Sequence, residues 1–84
     1  MKASLCICVQ YGEPFDRTVK YVKHFDLFKD KDVTSESQAK AFAYDVTGVC
    51  WVEVKPTECP KDKNADYFQV RLTSTTTYVL ELQY

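Results

Sequence analysis

Eighty-four residues, 45% hydrophobic and 27% charged, describe one small folded domain over 1–84 and exclude a disordered segment. A net charge of −1, from 11 Lys and Arg against 12 Asp and Glu, speaks against a general nucleic-acid binder, which needs a basic footprint, and against an acidic DNA mimic. No apolar run approaches the ~20 residues of a membrane-spanning helix and the first, Ala3 to Val9, is too short for a signal peptide, so the expectation is a cytoplasmic protein with reduced thiols.

The chain opens on ASLCICVQY, a strand by its alternation. Leu5, Ile7, Val9 and Tyr11 share one face, and Cys6, Cys8 and Gln10 the other. Gly12 to Pro14 end it with turn chemistry. TVKYVKHFDLF follows as a second strand, with Val19, Tyr21, Phe25 and Leu27 on one side, interrupted by Lys23. Lys20, Val22, His24, Asp26 and Phe28 lie on the other. The short connection predicts an antiparallel hairpin.

The period then changes. Ala39, Phe42, Ala43 and Val46 are spaced i, i+3, i+4, i+7, one face of a helix. Ser35 and Gln38 form an S-x-x-Q capping pattern at its start, Glu36 suits the positive end of its dipole, and Gly48 stands at the stop. VCWVEVK predicts a third strand, with Cys50, Val52 and Val54 inward and Trp51, Glu53 and Lys55 outward. Pro56 ends it, and a polar loop runs to Asp66. YFQVRLTS and YVLELQY predict two more strands, with Phe68, Val70, Leu72 and then Tyr78, Leu80, Leu82, Tyr84 aligned. The expected fold is an α+β two-layer sandwich in ββαβββ order, one helix on a mostly antiparallel sheet of four to five strands. The face away from the helix is expected to carry Cys6, Cys8, Trp51, Tyr67, Arg71 and Val79, and function is expected there.

Chemistry-bearing residues are few. A structural zinc site needs paired Cys or Cys/His sets that converge. Cys6 and Cys8 share a face of one strand, Cys50 is expected on the opposite side, and Cys59 lies in the loop, so the four are read as free thiols, with no metal and no cofactor. His24 is the only histidine. It has the parity of Cys6 and Cys8, which makes this trio the one enzyme-like constellation, a thiol beside a base. No glycine-rich or helix-start context accompanies it to activate a thiol, and the chain is read as a non-enzyme. Asp26, Asp30 and Asp32 alternate with Lys29 and Lys31 and lack the oxygen count and the Glu of an EF-hand loop.

Trp, Tyr and Arg are the residue types of interface anchors. Trp51, Lys55, Tyr67 and Arg71, with Lys61 and Lys63 of the loop, are therefore the candidate partner-binding set. The same residues supply an alternative, a small nucleic-acid-binding module that uses an aromatic and basic sheet face.

The block SESQAKAFAYDVTGVCWVEV, with a strand at the chain start, resembles small bacteriophage accessory proteins of the anti-CRISPR type. The resemblance implies a stoichiometric inhibitor that blocks a host defence assembly, such as a CRISPR effector complex, by steric occupation. The expected partner is a host protein or protein complex, with no membrane involved, and the chain a monomer or homodimer.

Overall fold

The computed structural model describes residues 1–13, 16–57 and 64–84, and side chains outside 11–21. Its elements are β1 (Lys2–Glu13), β2 (Asp16–Asp32), α1 (Glu36–Thr47), β3 (Ala65–Arg71) and β4 (Thr76–Gln83). The four strands form one antiparallel sheet in the order β2-β1-β4-β3. The first strand is thus internal, as expected of a segment apolar on both faces. The α+β class stands. The ββαβββ order does not: the described order is β-β-α-β-β, with four strands.

The segment expected as a third strand, Val49 to Lys55, makes no ladder among the described residues. Trp51 turns inward and is 1% exposed. Its indole Nε1 donates to Thr47 Oγ1 at 3.2 Å, and the Val54 N–H closes a turn onto the Trp51 carbonyl at 3.0 Å. The Val54 carbonyl accepts from Lys40 Nζ at 2.9 Å. Alternation in this stretch therefore loses to the burial of one large side chain, with helix side chains satisfying its polar groups. Cys50, expected inward, is exposed.

Helix α1 is capped as the sequence predicts. Ser35 Oγ accepts from the Gln38 N–H at 3.2 Å. Gln38 Oε1 reaches back to the Thr34 N–H at 2.6 Å, one residue beyond the usual capping-box partner. Gly48 takes a left-handed φ of 71° and its N–H returns to the Tyr44 carbonyl at 2.7 Å. The buried stripe is rotated from the expected one. Ala39, Lys40 and Ala43 are buried, while Val46 is 51% exposed.

The core lies between α1 and one sheet face. Leu5, Leu80 and Phe68 form a row across β1, β4 and β3, and Ala3 pairs with Leu82. All five are fully buried. Trp51 and Val33 belong to the same buried cluster. Each such large side chain contributes on the order of 1.5–3 kcal/mol by leaving water.

The β1–β2 pairing holds the detail that decides which residues meet. Leu5 pairs with Phe28, but Cys6 pairs with Asp26. Leu27 is the extra residue of a β-bulge, and it reverses side-chain parity along β2. Phe28 therefore packs against the core, whereas His24 and Asp26 stay on the opposite face. Unbroken alternation places Phe28 with His24. A second irregularity, between Ala3 and Leu5, brings Asp30 to φ 52° with its N–H on Ser4 Oγ at 3.0 Å.

Candidate functional site

The sheet face away from the helix forms an open groove. Cys6 and Cys8, two residues apart on β1, point into it together. Register brings Asp26 and Val79 to either side of Cys6, and His24 and Thr77 to either side of Cys8. Gln69 lies beyond Val79, and Tyr67 beyond Glu81. All of these side chains except Asp26, together with Gln10, Val22 and Thr57, line the groove.

At its centre three potential donors converge. Cys6 Sγ and Cys8 Sγ are 3.8 Å apart, and Cys8 Sγ lies 3.1 Å from His24 Nδ1. All three donor atoms lie within 4.8 Å of one another. Both thiols are half-buried and His24 is exposed. Burial pushes the Cys6 thiol up to about 12, and the neighbouring Cys8 adds to the shift, with smaller contributions from Asp26 and Glu81. Cys6 is thus a protonated, weakly nucleophilic thiol near neutral pH.

The same distances argue against a disulfide between the two. Strand residues two apart on one face are separated by about 6.8 Å of rise, at the upper limit of bridgeable Cα separations. The arrangement offers instead two sulfurs and one ring nitrogen held on paired strands.

The predicted anchors do not assemble around this groove. Tyr67 faces it and is half-buried. Trp51, expected outward, is in the core. Arg71 has its guanidinium turned onto its own chain, with Nε on the Thr73 carbonyl at 3.2 Å and Nη2 on the Ser74 carbonyl at 3.0 Å. It fastens the turn between β3 and β4. Lys55 is exposed, beyond the turn that follows Trp51. Lys61, Lys63 and Cys59 lie outside the described residues.

The expected face is otherwise recovered: Cys6, Cys8, Tyr67 and Val79 line the groove, and Arg71 pairs with Thr77 at its end. Shared parity of Cys6, Cys8 and His24 was the signal for the cluster. Asp26 shares the parity of His24 in the sequence, and register sets it beside Cys6; Glu81 is the member of the face that sequence reading missed.

Among the described residues no helix is long and apolar enough to cross a membrane. No family profile, curated protein or solved structure matches the chain.

Proposed function

We propose that the chain is a non-enzymatic, cytoplasmic protein-binding protein whose partner seats on the sheet face away from the described helix. The supporting observation is one of coverage. The described helix packs on one face of the four strands, while the other presents half-buried Cys6, Cys8, Tyr67 and Val79. A rim of Gln10, Gln69, Thr77, Asp26 and Glu81 surrounds them, the mixed make-up of a non-obligate protein interface. The carboxylates favour a partner with basic side chains over nucleic acid, whose phosphates they repel.

The partner class comes from the resemblance to phage inhibitors: a host defence assembly such as a CRISPR effector complex. Its support is the helical half of the resembling block, because the VCWVEV half is not a strand. The test is complex formation between the purified chain and purified effector complexes, read by size-exclusion chromatography and a binding titration. Tyr67→Ala and Val79→Glu are expected to weaken the complex at least about tenfold, the scale of a hot-spot loss of roughly 1.4 kcal/mol or more. Tyr44→Ala, on the exposed side of the helix, is expected to leave it unchanged. Absence of any complex removes the host-defence assignment. A complex lost through Tyr44→Ala and kept through the two sheet variants moves the interface to the helix.

A further inference from the structure

The open face carries a donor set that protein binding does not require. We propose that Cys6, Cys8 and His24 form a zinc site, with two thiolates and the His24 Nδ1 as protein ligands and water in the fourth position. This departs from the sequence expectation of no metal, and it stands whether or not a partner protein binds the face.

Geometry carries the proposal. A tetrahedral site with Zn–S bonds of about 2.3 Å has an S···S edge of about 3.8 Å. The Cys6 and Cys8 sulfurs stand at 3.8 Å. The corresponding S···N edge is about 3.6 Å, from Zn–S of about 2.3 Å and Zn–N of about 2.05 Å. Cys8 Sγ and His24 Nδ1 are at 3.1 Å, the separation of a hydrogen-bonded pair. Replacing that hydrogen bond by a cation opens it by a few tenths of an ångström, within the reach of an exposed histidine side chain.

The scaffold also fits. Cys6 and Cys8 are on an internal strand, and His24 is directly opposite Cys8 in the ladder. Ligands on paired strands are held more tightly than ligands on loops. The bulge at Leu27 keeps His24 on this face while sending Phe28 to the core. Asp26 and Glu81 in the same neighbourhood favour a cation at the centre.

The donor chemistry selects the metal class. Two thiolates and an imidazole suit zinc and disfavour magnesium and calcium, which take oxygen ligands. Among the described residues the Cys/His/Asp/Glu cluster at this point has three members, Cys6, Cys8 and His24. A tetrahedral ion held by these three keeps one position for water, the open arrangement of zinc sites with three protein ligands. On binding, the two S–H protons leave to solvent, and His24 binds as the neutral ring with its proton on Nε2. Two thiolates neutralise the 2+ charge of the ion, and no oxidant or reductant takes part.

The experiment uses the full chain, reduced and stripped of metal, titrated with zinc against a chromophoric chelator and separately with cobalt. One zinc per chain is expected, and cobalt should give intense visible bands of a tetrahedral centre with a thiolate-to-metal charge-transfer band. Cys6→Ser and Cys8→Ser are each expected to weaken zinc by about 100-fold or more, beyond the roughly 10–100-fold cost of losing a supporting hydrogen-bond partner. His24→Ala should weaken it at least tenfold, and Cys50→Ser should leave it unchanged. If a cysteine variant fails to fold, His24→Ala and zinc protection of Cys6 and Cys8, but not Cys50, from alkylation test the same site. Failure to retain one zinc per chain overturns the proposal, as does a cobalt spectrum without thiolate charge transfer, or a zinc affinity indifferent to all three ligand substitutions. Uptake of cuprous ion without zinc overturns the metal assignment.

Discussion

Lys40 lies along α1 with its ammonium on the Val54 carbonyl at 2.9 Å and 4.6 Å from the centre of the Phe68 ring. The residue is 8% exposed, the one charged side chain counted among the buried described residues. Its stem fills space between helix and sheet, and its charge is met by the Val54 carbonyl, the more distant Val52 carbonyl at 3.5 Å, and Glu36 at 3.8 Å. The contact ties the segment after the helix to the helix itself.

Lys40→Met keeps most of the stem and removes the donor. It leaves the Val54 carbonyl without its partner and is expected to cost about 1–3 kcal/mol. Urea unfolding should show a lower midpoint with an unchanged slope. Lys40→Ala, which also empties the space of the stem, should cost more.

Trp51→Ala is expected to destabilise by about 3–5 kcal/mol, the usual range for a large aromatic in a core. In a domain of this size such a loss is a large share of total stability. Thermal unfolding of Trp51→Ala beside Tyr67→Ala separates the two aromatics: the first should lose most of its folded baseline, and the second should retain it. A well-folded Trp51→Ala would contradict its place in the core.

Gly48→Ala tests the helix stop. A Cβ at this position meets nothing within 4 Å, so the cost comes from the left-handed φ of 71° alone. That conformation costs an L-residue roughly 1–2 kcal/mol. Gly48→Asn, which tolerates it better, should cost less. Chemical denaturation of the pair reads the difference.

Tyr84 supplies a pH signature. Its hydroxyl donates to Asp66, and this bond, with some desolvation, pushes the phenol up from 10.0 to about 12. The protonated form is the one the fold favours. Its stabilising contribution is therefore complete below pH 10 and is lost as pH rises through about 12. Spectrophotometric titration of the native protein should show a late ionisation step belonging to Tyr84. Tyr84→Phe or Asp66→Asn should remove that late step.

The ends of α1 could be read directly from sequence. Ser35, Gln38 and Gly48 act on backbone groups within a turn of themselves, so neighbouring residues suffice to place them. The strand character of β1 was equally local, because Leu5 and Ile7 alternate with Cys6 and Cys8. The first hairpin and the two final strands followed from alternation and breaks. Val49 to Lys55 did not, since a strand needs a ladder partner and Trp51 found a larger gain against the core.

The site was half legible. Parity put Cys6, Cys8 and His24 on one face, and residue type gave them their chemistry. Whether they meet depends on register between β1 and β2, which the bulge at Leu27 sets, and a bulge is a tertiary compromise between two surfaces. Phe28 is drawn to the core while His24 remains outside, and one extra residue reconciles them. The sequence alone determined the class of fold, the helix limits and the donor types. Only the tertiary structure decided that Trp51 is core, that Arg71 fastens a turn and that two sulfurs and an imidazole converge, because burial and strand register are set by distant parts of the chain.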